Sequence, residues 1–173
     1  MSGTFRHSRK EKGHAAGAKE LLRTSAAQVN DLLADFDQTP DDRRRQEIRE
    51  QALFEIRLYR TLAGEVLLPA LRQAQNDASA FQAPQSVLEA LDPLLLRVEK
   101  FPLADARGSS AWTTIRETAR RTFEQFEFEA LRMADALKLD DVGLGLRMME
   151  LRQEIIAEQP VKSVRTDNDT RKG

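Results

Sequence analysis

The chain has 173 residues, of which 40% are apolar, and its 27 basic side chains nearly balance 28 acidic ones, giving a formal net charge of −1. A chain of this length can bury the core of one domain. The small net charge excludes the strong positive field typical of nucleic-acid-binding proteins, and no stretch approaches the roughly 20 apolar residues of a membrane span. We therefore expect neither nucleic acid nor a membrane as a partner.

The chain contains no cysteine, which excludes disulfides, thiolate metal sites and cysteine nucleophiles. Both histidines, His7 and His14, lie in a basic start that also contains glycine and serine. We predict disordered tails at residues 1–15 and 159–173. The start lacks the apolar core of a secretory signal, which predicts a cytoplasmic protein. Metal or acid–base chemistry that needs a histidine inside the fold is therefore excluded.

Apolar residues recur every three or four positions along most of the chain, which predicts amphipathic helices and no strands. The first predicted helix covers residues 18–36. The sequence Thr39-Pro40-Asp41-Asp42 predicts the start of a second, with its N-cap at Thr39. This helix extends to about residue 75, and Pro69 should kink or loosen its last turns. The third predicted helix covers residues 81–100 and contains two prolines.

A loop is predicted at residues 101–109, because this stretch contains a proline and Gly108. A fourth helix then starts at Ser109 or Ser110. Asp140 is a suitable N-cap for an additional C-terminal helix that extends through Ile156.

Long amphipathic helices joined by short links make sequential helices antiparallel neighbours. The sequence shows no internal repeat, which argues against a solenoid. We therefore predict an all-α fold for residues 16–158, an antiparallel up-down-up-down four-helix bundle with an additional C-terminal helix.

Several segments match the phase and flanking residues of a known family. Residues 21–29, LLRTSAAQV, resemble the first helix of hemerythrin-like (HHE) domains, where a leucine pair precedes an Asp-His dipeptide. Residues 59–69, YRTLAGEVLLP, resemble the family's second-helix motif, in which His is followed four residues on by Glu and ten residues on by Pro. Residues 125–130, QFEFEA, resemble its His-x-x-x-Glu-Glu motif. Leu88 falls at the position of a third-helix histidine, and residues 143–151 are similar to the family's closing helix.

The resemblance implies a non-haem di-iron site used for dioxygen binding or for iron and redox sensing. In the family, histidines from all four helices and two carboxylates hold the metal. The matching positions here are Ala26, Tyr59, Ala63, Leu88, Gln125 and Ala130. Alanine and leucine have no donor atom and neutral glutamine is a poor ligand, so we expect no cofactor. Such a pattern fits a paralogue that has shed its metal or a deliberately emptied variant.

The small residues at these positions predict an apolar space that admits a small apolar ligand. The candidate core pocket comprises Ala26, Tyr59, Ala63, Leu88, Gln125, Glu129 and Ala130.

Three functions remain open from the sequence. The first, which we favour, is a non-enzymatic, metal-free binding or structural module, natural or engineered. The second is an iron- or dioxygen-binding or sensing protein with a shifted site that uses Glu129 and Tyr59. The third is a metal-free catalyst with Glu129 as a buried base of raised pKa, for which Glu55 and Glu127 are weaker candidates. The sequence leaves the oligomeric state open.

Overall fold

The computed structural model describes residues 15–159, and every regular element in this range is helical, which confirms the all-α prediction for this part of the chain. The predicted tails fall outside the described residues, apart from Ala15 and Gln159. The α-helices are α1 Ala18–Gln38, α2 Asp42–Leu62, α3 Leu68–Ala74, α4 Gln82–Glu89, α5 Asp92–Lys100, α6 Ala106–Phe126, α7 Arg132–Ala136 and α8 Asp141–Glu158. Two π-helical segments, Ala63–Leu67 and Glu127–Leu131, join α2 to α3 and α6 to α7, and a 3₁₀ turn, Ala78–Phe81, precedes α4.

The second predicted helix is confirmed as one run through α2, the first π-helical segment and α3, but its N-cap is Asp41 rather than Thr39. The Asp41 carboxylate accepts a hydrogen bond from the Arg44 backbone N–H at 2.7 Å. Pro69 has no N–H, and in a regular α-helix its ring would clash with the carbonyl of Glu65. Glu65 lies in the π-helical segment. The helix therefore has a wider π turn at the position where the sequence predicts a kink or a loosened turn.

The prediction of a single third helix is wrong, because the helix is interrupted between α4 and α5. Pro93 has no N–H to donate to the carbonyl of Glu89, so regular α-helical bonding cannot pass through this point. The Leu91 N–H instead donates to the Leu88 carbonyl at 3.1 Å, which closes the end of α4 in a tighter turn.

The predicted loop at residues 101–109 is wrong in its second half, because α6 already begins at Ala106. Its N-cap is Asp105, which accepts from the Arg107 backbone N–H at 2.8 Å. Gly108 is buried inside α6, where an added Cβ would overlap the carbonyl oxygen of Pro102. This glycine permits a close approach between the helix and the preceding chain instead of marking a loop.

The helices pack mainly in two groups. Helix α1 packs along α2 and α8, and α6 packs along α4 and α5. Each helix contributes an apolar stripe to a continuous core, with Leu33, Ile56 and Ile115 fully buried on α1, α2 and α6. Helix α8 also exposes a second apolar stripe on its opposite face, formed by Val142, Leu146, Met149 and Ile156.

Long arginine side chains connect α2 to α5. The Arg49 guanidinium is buried, and its Nη2 donates to the carbonyl oxygens of Val98 at 2.6 Å and Phe101 at 3.2 Å. A cation beside carbonyls at the C-terminal end of a helix satisfies oxygens that have no partner within that helix. In the last turn of α2, Arg60 binds both carboxylate oxygens of Asp92 at 2.7 Å.

We predict that Leu88→Ala lowers the free energy of unfolding by about 2–5 kcal/mol, the range for truncation of a buried leucine. Leu88 is 1% exposed and lies on α4, which packs against α6. Leu96→Ala is the matched control, because its side chain is 63% exposed. This control should change stability by less than about 0.5 kcal/mol. Equal losses in the two variants, measured by urea denaturation, would contradict the placement of α4 in the core.

Candidate functional site

The structure buries four of the seven predicted pocket residues, namely Tyr59, Ala63, Leu88 and Ala130. Ala26 is half-buried. Gln125 is exposed, so its placement in a core pocket is wrong. The helical phase explains this difference, because the inward positions on this turn of α6 belong to Phe123 and Phe126 and the glutamine between them faces outward.

Aromatic rings occupy the centre between α2 and α6. The Tyr59 ring lies 4.4 Å from that of Phe123 and 6.1 Å from that of Phe126, measured between centroids, with interplanar angles of 55° and 77°. Such tilted arrangements are the favoured geometry of aromatic pairs. None of the seven predicted residues lines any of five clefts found between residues 15 and 159. These rings therefore fill volume that the sequence predicted to be open.

Both π-helical segments coincide with positions singled out by the family resemblance. Ala63 begins the first segment, and Ala130 lies in the second. Helix α4, which carries Leu88, contacts both segments. Single π turns within α-helices occur frequently at functional sites. The backbone therefore departs from α-helical geometry at the two positions where the resemblance implies carboxylate ligands.

The side chains at this centre do not fit a metal ion. Ala63, Leu88 and Ala130 present hydrocarbon only. Burial raises the pKa of Tyr59 far above its ordinary value, with a smaller contribution from the charge of Glu127, so the phenolate that could bind iron is disfavoured. Within residues 15–159, no three or more His, Cys, Asp or Glu side chains lie close enough together to hold a metal.

The carboxylates near this centre have different surroundings. Glu129, the predicted base, is half-buried, and its Oε2 is enclosed without a hydrogen-bond donor among the described residues. Glu127 is bound by Arg23, whose Nη2 lies 2.6 Å from Oε1 and whose Nε lies 3.0 Å from both carboxylate oxygens. Glu127 therefore forms an ion pair between the second π-helical segment and α1.

Glu55 is the carboxylate that the structure buries best, although the sequence ranked it below Glu129. It is 5% exposed, and Gln28 Nε2 donates to its Oε1 at 3.4 Å. Desolvation raises the pKa of Glu55, and the positive charge of Arg152 opposes this shift. The hydroxyl of Ser25 is also buried and has no partner in the described chain.

The cavity beside Glu55 lies between α1, α2 and α8 and has a volume of about 40 Å³. One water molecule occupies roughly 30 Å³, whereas sites for organic ligands measure roughly 300–1,000 Å³. The cavity therefore has room for about one water molecule and none for an organic substrate.

We predict that Tyr59→Ala lowers the free energy of unfolding by about 3–5 kcal/mol, the range for truncation of a buried aromatic residue. Tyr59→Phe retains the ring that packs on Phe123 and Phe126 and should cost less than about 1 kcal/mol, since only a hydroxyl is removed. Chemical denaturation of the two variants measures both values. A large loss in Tyr59→Phe would mean that the hydroxyl, and not the ring, carries the role of this residue.

We predict that Glu55→Gln is more stable than the parent protein at neutral pH. Below about pH 4, the difference in stability between the two proteins should no longer change with pH. The pKa of Glu55 is higher in the folded than in the unfolded state, so the folded state binds more protons between the two values. Its contribution to stability is therefore fully present below the unfolded-state pKa and is lost as the pH rises through the folded-state pKa. Thermal melts between about pH 4 and pH 8 measure this effect. The range begins near the usual glutamate pKa of about 4.3 and extends upward, because the folded-state pKa of Glu55 is raised.

Glu124→Gln is the control for this pH series, because Glu124 lies exposed on α6. The advantage of Glu55→Gln over the control should grow with rising pH. A constant difference between the two variants across the series would show that Glu55 has no raised pKa.

No protein-family model, no curated protein sequence and no solved structure matches the chain. Within residues 15–159, no helix combines the length and the apolar character that are needed to cross a membrane.

Proposed function

We propose that the chain is a hemerythrin-like helical bundle without a di-iron site, which acts in the cytoplasm as a metal-free binding or structural module. This proposal assigns four helical segments to an antiparallel up-down-up-down bundle: α1, α2 with α3, α4 with α5, and α6 with α7. Helix α8 is the additional C-terminal helix. The contacts of α1 with α2 and of α5 with α6 support this arrangement.

The observation that carries the proposal is the apolar packing at the matching positions. Ala63, Leu88 and Ala130 are buried where the resemblance implies metal ligands, and the Tyr59 ring packs between aromatic neighbours. A metal centre links the helices that supply its ligands, so a bundle without one needs another source of cohesion. Buried hydrocarbon and aromatic contacts supply that cohesion here.

The two alternative functions have less support. A shifted iron site would use Tyr59 and Glu129, but burial raises the pKa of the Tyr59 phenol and so disfavours the phenolate that iron would need. A metal-free catalyst needs a buried base beside space for a substrate. Glu129 is only half-buried, and the cavity at Glu55 holds about one water molecule. A non-catalytic module agrees best with these observations.

Elemental analysis of protein from iron-supplemented cells tests the metal-free proposal. We expect no stoichiometric iron and no oxo-bridge absorption in the near-ultraviolet, because the buried side chains at the centre offer no ligand set. Stoichiometric iron in the parent protein would contradict the proposal.

A gain-of-binding variant tests the hemerythrin-like placement of the helices. The substitutions Tyr59→His, Leu88→His, Ala63→Glu and Ala130→Glu should raise iron binding, since all four side chains point into the core. Adding Gln125→His is the matched control and should contribute nothing, because that side chain is exposed. A fourfold variant that is helical by circular dichroism and binds no more iron than the parent would show that these segments do not share one centre.

A further inference from the structure

A cleft of about 360 Å³ lies where the C-terminal end of α1 meets the first turns of α2 and α6. Its volume falls in the range of sites for small organic molecules, roughly 300–1,000 Å³. It shares no residue with the predicted core pocket or with the cavity at Glu55. This cleft is therefore separate from the centre at Tyr59 and from the cavity at Glu55. Ligand binding in the cleft does not depend on the proposed function.

Aromatic rings and guanidinium groups form the walls of the cleft. The rings of Phe36 and Trp112 lie 5.1 Å apart between centroids, and each residue is 2% exposed. The guanidinium carbon of Arg45 lies 4.4 Å from the centre of the Phe36 ring, and that of Arg116 lies 5.3 Å from it. Cation–π contacts at these distances hold both guanidinium groups against the aromatic wall.

The two arginines differ in their partners. Arg116 Nη2 donates to Asp37 Oδ2 at 2.5 Å and to the Leu33 carbonyl at 3.4 Å, and this ion pair lowers the pKa of Asp37. Arg45 forms no ion pair with any residue between 15 and 159, although the exposed Asp42 also lines the cleft. The charge of Arg45 also acts on Asp37 from a greater distance, but of the two cleft arginines Arg45 is the one that no close ion pair already holds.

The same walls contain buried N–H groups that lack acceptors. The Nε of Arg45, the Nε of Arg116 and the indole Nε1 of Trp112 are all enclosed, and none donates to an atom of the described chain. Buried donors without acceptors are costly and uncommon in folded proteins. The lining of the cleft contains two guanidinium groups and one carboxylate, that of Asp42, so it favours a ligand that supplies acceptor atoms and negative charge.

We propose that this cleft binds a small planar carboxylate with an apolar body, such as an aromatic carboxylate. The carboxylate pairs with the guanidinium of Arg45, whose planar fork matches two carboxylate oxygens. The apolar body lies against the apolar part of the lining, to which Leu103, Trp112 and Phe36 contribute. The first turns of α2 and α6 both border the cleft, and the positive ends of their dipoles add to the preference for an anion.

Tryptophan fluorescence tests the proposal directly, because Trp112 is the single tryptophan of the chain and lines the cleft. The parent protein is titrated with benzoate, with the neutral analogue benzamide and with inorganic phosphate. We expect a saturable change with benzoate at about millimolar concentration, as is usual for so small a ligand. Benzamide and phosphate should bind at least about tenfold more weakly, because one lacks the charge and the other lacks the apolar body.

Two arginine variants locate the binding charge. Arg45→Gln should weaken benzoate binding about tenfold or more, because it removes a charged hydrogen-bond donor. Arg43→Gln is the matched control, since it removes the same charge from the same end of α2. The Arg43 side chain is 90% exposed and pairs with Glu47, so its removal should change binding by less than about twofold, as expected of a screened surface charge.

Three results would overturn the proposal. They are no saturable response to benzoate, equal affinity for benzamide or phosphate, and equal weakening by the two arginine variants. The comparison of ligands uses the parent protein alone, so it remains decisive if Arg45→Gln fails to fold. Iron content plays no part in either measurement, so failure here is distinguishable from failure of the metal-free proposal.

Discussion

The packing of the Tyr59 ring against Phe123 and Phe126 is the interaction on which the centre of the molecule depends. The buried residues Ala63 and Ala130 have small side chains. Without the three rings, the middle of the fold would therefore contain unfilled space. Burial favours the neutral form of the Tyr59 phenol, so this ring adds no charge to the centre. Cohesion that a metal would supply through a few strong bonds comes here from many weak contacts.

Charged groups in this protein are placed around that apolar centre. Arg49 is buried but donates to carbonyl oxygens at the end of α5, and Arg60 and Arg23 form paired contacts with carboxylates nearer the surface. A buried charge is tolerated only when hydrogen bonds satisfy it. Glu55 is the exception in the core, since its main partner is a neutral glutamine amide. The ionised form of Glu55 is consequently the costly one.

The helical content and the inward faces follow from the sequence, because the 3.6-residue period places residues such as Leu33 and Ile115 on buried stripes. Local geometry does not follow from periodicity. Gly108 resembles a loop residue until its contact with Pro102 is known, and no periodic pattern indicates the two π turns. The family resemblance places Gln125 inward, although the helical phase of α6 points it outward. The cleft at Trp112 joins residues 36–46 to residues 103–116, and no periodic pattern indicates that these two distant stretches meet.

The π-helical segments have a consequence for how this chain compares with others. A hydrogen-bonded π turn spans one residue more than an α-helical turn, so each segment amounts to a single residue inserted within a helix. An alignment that places gaps only in loops would shift by one residue at Ala63–Leu67 and again at Glu127–Leu131. One residue of shift rotates the assigned face of a helix by about 100°. Relatives of this chain would therefore be recognised more readily by comparing buried faces than by ungapped matching along its helices.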